Sequence, residues 1–119
     1  MTRDEQRLAD YLEHVREAIE RIWQYTEGFD ESLFQQNRMA QDAVIRNLEI
    51  IGEASFKIQK QFPEFAASHP ELPLAPAYQM RNAIAHGYFK VDLEIIWKTI
   101  HGDLPRLHEQ MLKLIAELR

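Results

Sequence analysis

From Leu93 to Leu118 the apolar residues recur at spacings of three and four: Leu93, Ile96, Trp97, Ile100, Leu104, Leu107, Met111, Leu114 and Leu118. Only an α-helix gathers positions so spaced onto one side, and a stripe this long needs a partner of similar length to cover it. The same period recurs near the N-terminus in Leu8, Tyr11, Leu12, Val15, Ala18, Ile19 and Ile22, interleaved with Glu13, Arg16, Glu17, Glu20 and Arg21. No stretch alternates with period two. The chain is therefore expected to be all-α, a four- to five-helix up-and-down bundle occupying residues 1–119 as one domain.

The boundaries follow from local chemistry. A first helix is expected over residues 3–26, with Gly28 closing it. Asp30 starts the next segment, with Ser32 as a rival cap. Residues 31–62 read as a second helix, with a break near Gln35-Gln36-Asn37. Pro63 ends it. Residues 63–76 carry Pro63, Pro70, Pro73 and Pro76 and read as a connection with little regular structure. A third helix fits Pro73 or Leu74 to His86, with Gly87 as its stop. Asp92 caps a fourth, which is expected to kink at Pro105.

Composition excludes several classes of function. The chain has no cysteine, so disulfide scaffolds, thiolate metal sites and a cysteine nucleophile are out. Lys+Arg 14 against Asp+Glu 19 leaves a net charge of −5, so contact with a polyanion requires a local basic cluster. No apolar run approaches the ~20 residues of a membrane span, and Met1-Thr2-Arg3-Asp4-Glu5 lacks a leader's apolar stretch, so a cytoplasmic protein without membrane contact is expected. There is no H-E-x-x-H pattern, no tight ligand cluster and no glycine-rich phosphate loop, so neither a metal nor a cofactor is expected.

Two places look unlike plain bundle. On the second helix Arg38, Asp42, Arg46, Glu49 and Glu53 fall within about 80° of arc at ~100° per residue. They form a charged stripe on an otherwise apolar segment. A ladder of ion pairs between successive turns explains it. So does the polar wall of a site, with Asp42 or Glu49 orienting a nearby arginine. Ile50 lies well round from the face of Val44, Ile45, Leu48 and Ile51. This helix is therefore either central in a bundle or shared between a core and a partner.

The second place is Arg81-Asn82-Ala83-Ile84-Ala85-His86-Gly87-Tyr88-Phe89. Asn82 and His86 are neighbours on a helix surface. His86 falls in the last turn, where the helix dipole favours the imidazolium. A histidine poised to hold a proton, beside a permanent cation and a phenol, suits chemistry on an anion. A C-terminal histidine cap with an aromatic lid and a surface arginine is the plainer account.

Arg81-x4-His86-x-Tyr88 resembles the Arg-x4-His-x-Tyr motif of HEPN-domain toxins of the HepT type. The segment Asp42 to Ala54 looks like the second-helix segment of that family. Val91-Asp92 and Ile95-Ile96-Trp97 look like its third-to-fourth helix junction. The resemblance implies a metal-independent endoribonuclease acting as a homodimer, with Arg81 and His86 of both protomers converging on one cleft. It also implies a partner, a minimal nucleotidyltransferase antitoxin that transfers AMP from ATP to Tyr88, alone or in a larger hetero-oligomer. In that scheme Arg81 and His86 are catalytic, Asn82, Asp42, Arg46 and Glu49 support them, and the substrate is RNA. The competing account is a non-catalytic dimeric helical module that binds a nucleotide or a nucleotidyltransferase, with Arg81 and His86 serving only as ligands.

Overall fold

The computed structural model describes residues 1–86 and 92–119, the His86 side chain excepted. The expected stop at Gly87 and the expected modification site at Tyr88 lie outside the described residues.

Among the described residues six helices follow one another: α1 (Arg3–Tyr25), α2 (Glu31–Gln36), α3 (Arg38–Gln61), α4 (Pro63–Ser68), α5 (Leu74–His86) and α6 (Leu93–Leu118). Four are long and two are single-turn pieces, so the bundle has one short helix more than the upper expectation. Among the described residues there is no strand, and no helix is long and apolar enough to cross a membrane.

Side chains set the helix ends. The Thr2 hydroxyl accepts from the Glu5 amide while the Glu5 carboxylate accepts from the Thr2 amide, a reciprocal cap on α1. Gly28 takes φ 77°, two residues past the C-cap Thr26, a conformation that L side chains rarely adopt. Asp30, and not Ser32, caps α2 through the Leu33 amide at 2.8 Å. Asn37 closes α2 and opens α3, its Oδ1 accepting from the Ala40 amide at 2.9 Å. The expected break is therefore a change of helix at one residue. Asp92 caps α6 as expected, accepting from the Glu94 and Ile95 amides.

The connection over 63–76 is more regular than its prolines imply. Pro63 stands in the first turn of α4, where its missing N–H would have had no helical partner. The same residue that ends α3 thus starts the next turn. α6 runs unbroken through Pro105. His101, four residues earlier, is exposed, so solvent is available to the carbonyl that loses its donor.

α3 is the central helix. It packs against α1 on one side and α5 on the other, and α1 in turn packs against α6. The apolar residues on more than one side of α3 are accounted for by these two neighbours. Leu12, Val15, Ile19 and Ile22 of α1, Val44, Leu48, Ile51 and Ile58 of α3, and Ile96, Ile100 and Met111 of α6 are buried together, with Phe34 of α2 closing one end. Phe34 packs on Trp97 with ring centroids 5.4 Å apart.

α5 is held differently. Its sequence has a weak apolar stripe, and it leans chiefly on α3, partly through stacking of Tyr78 on Phe56 at 4.4 Å. Gly52 makes the approach possible. A Cβ there would lie 2.8 Å from the Ala77 carbonyl oxygen and would overlap the Cβ of Arg81. The residue without a side chain on α3 therefore faces the residue with the most chemistry on α5.

Candidate active site

A cleft of about 360 Å³ opens where α1, α3 and α5 meet, and Arg81 stands in its wall. α1 contributes Tyr11 and His14; α3 contributes Arg46, Glu49, Glu53 and Lys57. A larger hollow of about 580 Å³ lies between α5 and α6, lined by Leu48, Ile51, Met80, Leu104 and Leu107 among others. It contains none of the residues expected to carry chemistry. The smaller cleft is therefore the candidate.

Arg81 is anchored from two directions. Its Nη2 forms an ion pair with Glu53 Oε2 at 3.1 Å and its Nη1 donates to Asn82 Oδ1 at 2.9 Å. The arginine side chain is 32% exposed, so it is fixed without being sealed. A guanidinium has more N–H groups than these two bonds use, and its fork geometry keeps the rest available for a phosphate.

The supporting residues differ from the expectation in two respects. Glu53 orients the arginine, not Asp42 or Glu49. Glu53 lies one turn further along α3 than Glu49, abreast of α5, next to the glycine that lets α5 come close. Asp42 is exposed and does not line the cleft. Among the described residues the charged stripe forms no ladder of its own: its one ion pair runs across to Arg81. Asn82, expected as a supporting residue, accepts from Arg81 through its carbonyl oxygen. Arg46 and Glu49 do line the cleft with Arg81.

Tyr11, His14, Glu53 and Lys57 complete this wall. Glu53 carried a signal, since it sits on the charged stripe. Tyr11 looked like one more position of the apolar stripe and His14 like a solvated one, and only the crossing of α1 over α3 brings them here. Asn47 is buried and donates to the Ala43 carbonyl at 2.8 Å, within its own helix and away from the cleft. His86 is the last residue of α5, one turn beyond Asn82.

The other histidines serve packing. His108 pairs with Glu20 at 2.9 Å and lies 4.7 Å from the Trp23 ring, tying α6 to α1. His101 packs on Trp97 at 4.2 Å. Among the described residues no group of three or more His, Asp or Glu is placed to hold a metal ion.

A helical bundle that fixes an arginine in an open cleft, with a histidine at the end of the same helix, has the equipment of a protein that handles phosphates. The comparisons place it more closely. The model of the ribonuclease HepT-like family matches residues 15–114. A probable ribonuclease HepT of Thermococcus cleftensis is 43% identical over 88% of this chain and 93% of its own. A protein of Methanocaldococcus jannaschii named putative RNase is 36% identical over 87% of this chain and 89% of its own. A longer protein of the same organism, named gamma-glutamylcyclotransferase and putative RNase, is 39% identical over 91% of this chain, which spans 47% of that protein. No solved structure matches. The chain belongs to the HepT-like ribonuclease family.

Proposed function

We propose that this chain is a single-domain, metal-independent endoribonuclease, the toxin of a toxin–antitoxin pair, working in the cytoplasm as a homodimer. The observation that carries the reading is the anchored Arg81 in an open cleft, five residues ahead of His86 on the same helix, in a chain of the HepT-like ribonuclease family.

RNA brings its own nucleophile, the 2′-hydroxyl. The remaining requirements are a base, an acid and a charge clamp. His86 takes the 2′-hydroxyl proton as the oxygen attacks phosphorus. Arg81 donates to the non-bridging oxygens as negative charge accumulates on the phosphorane. The bond from phosphorus to the 5′-oxygen breaks, and that oxygen receives a proton from the second His86 of the dimer, or from the same one acting in turn. The products are a 2′,3′-cyclic phosphate and a 5′-hydroxyl. Glu53 and Asn82 hold the guanidinium in its working orientation throughout.

Tyr88 is the proposed acceptor of AMP. Its phenol oxygen attacks the α-phosphorus of ATP on a nucleotidyltransferase antitoxin, and pyrophosphate leaves. The resulting phosphodiester stands two residues from His86, mimics the substrate and adds negative charge where RNA phosphate binds.

The test is cleavage of total RNA by wild type, Arg81→Lys and Arg81→Ala, each checked for helicity and melting. Lysine keeps the charge but loses the two-pronged donor, so activity is expected to rank wild type, lysine, alanine. Equal activity in all three contradicts the clamp. Tyr88→Phe is expected to cut RNA and to resist silencing by the nucleotidyltransferase with ATP.

A further inference from the structure

The phosphate clamp occupies only one corner of the cleft. The rest of its lining faces Arg81 from α1 and α3, and its contents are specific. Tyr11 and His14 meet edge to face at 6.2 Å on the side of α1 that lines the cleft. His14 is exposed, and Tyr11 is braced beneath by Phe62 at 6.3 Å. The Lys57 ammonium stands 6.0 Å from the Tyr11 ring. Because Glu53 is neutralised by Arg81, the charge left in the cleft is Arg46 and Lys57 against Glu49. No ion pair among the described residues engages these three.

We propose that this part of the cleft is a subsite for one nucleoside of the RNA strand, the one adjoining the phosphate held by Arg81. The proposal rests on the ribonuclease reading and adds where the strand lies and what it is read by. The exposed His14 ring takes a base by stacking, with the half-buried Tyr11 ring set edge to face beside it, and every base has a face to offer. Arg46 and Lys57, eleven residues apart on α3, flank this part of the cleft and take backbone phosphates on either side of the nucleoside, supplying the local positive charge that a chain of net charge −5 needs. Glu49 accepts hydrogen bonds only, so it favours bases that present N–H donors on their edge. A cleft of about 360 Å³ lies at the small end of ligand pockets, which run ~300–1,000 Å³, and fits one nucleotide rather than a run of them.

The experiment compares wild type, Glu49→Gln, His14→Ala and the double variant Tyr11→Leu/His14→Ala on a pool of oligoribonucleotides with randomised positions around the cut. The stacking variants are expected to raise KM about tenfold with kcat nearly unchanged, because the contact is made equally in the ground and transition states. Glu49→Gln is expected to change which bases adjoin the cut. Wild-type KM and base preference in all three variants overturn the subsite while leaving the ribonuclease intact. If the double variant fails to fold, His14→Ala, at an exposed position, and Glu49→Gln, an isosteric change at a half-buried one, decide. If wild type cuts nothing, the ribonuclease reading fails separately. The subsite is then read by fluorescence anisotropy with a labelled 2′-O-methyl oligonucleotide: binding about tenfold weaker in His14→Ala supports it, and equal binding overturns it.

Discussion

Gly52 and Arg81 face each other across the α3–α5 contact, so closely that a methyl group on the glycine would occupy the space of the arginine's own Cβ. Packing and chemistry are thereby coupled at one point. The absence of a side chain on α3 sets the height of α5, and the height of α5 sets where the guanidinium reaches Glu53.

Gly52→Ala tests that coupling. A helical position ordinarily prefers alanine by up to ~1 kcal/mol, but here the added carbon meets the Ala77 carbonyl oxygen at 2.8 Å. Overpacking of this kind costs about 1–3 kcal/mol. The variant is expected to lose stability in urea and to lose RNA cleavage. Wild-type stability with wild-type activity contradicts the account of this contact.

Glu53→Gln separates the anchor from the fold. Arg81 and Glu53 are 32% and 46% exposed, so water screens the pair and its loss is expected to move stability by less than ~1 kcal/mol. The guanidinium, freed on one side, is expected to reach the phosphate less often. A several-fold fall in kcat with an unchanged melting temperature is the anticipated pattern. A large loss of stability with unaltered kcat assigns Glu53 to structure instead.

Phe34→Ala probes the opposite end of the bundle. Phe34 is fully buried and is the one core side chain that α2 supplies. Its removal leaves a cavity beside Trp97 and is expected to cost about 3–5 kcal/mol. Equilibrium unfolding measures this directly, and a cost below ~1 kcal/mol contradicts the placement of α2 in the core.

Acid stability should depend on Glu20. The hydrogen bond from His108, followed by that from Arg16, holds its carboxyl below the usual carboxylate value. A carboxylate depressed in the folded state is protonated first in the unfolded chain. Its contribution is thus present at neutral pH and lost as pH falls through the depressed value. Glu20→Gln is expected to flatten the fall of the urea midpoint between about pH 5 and pH 3, by less than ~1 kcal/mol because Glu20 is 44% exposed. Parallel curves for the two proteins contradict the tie between α1 and α6.

What the chain disclosed in advance tracks how local each determinant is. The stripes of α1 and α6 name their buried residues almost position for position, because a helix that must bury one face repeats the demand every turn. Asp30, Asn37 and Asp92 mark helix starts through bonds to residues two or three away. α4 was hidden because proline signals both an ending and a first turn. In the site, Arg81 and His86 stood out by spacing. Glu53 showed only as one member of the charged stripe, and Tyr11 and His14 not at all, because their places depend on three helices crossing. Of the charged stripe on α3, Arg46, Glu49 and Glu53 line the cleft and Asp42 does not.

The central claim is a metal-free cleavage of RNA that turns on His86. Purified wild type and His86→Ala, both free of AMP by intact mass, are incubated with total RNA in EDTA and the fragment ends analysed. The account predicts cleavage by wild type alone, leaving 2′,3′-cyclic phosphate and 5′-hydroxyl ends. Equal cleavage by both proteins, or cleavage that EDTA abolishes, contradicts it.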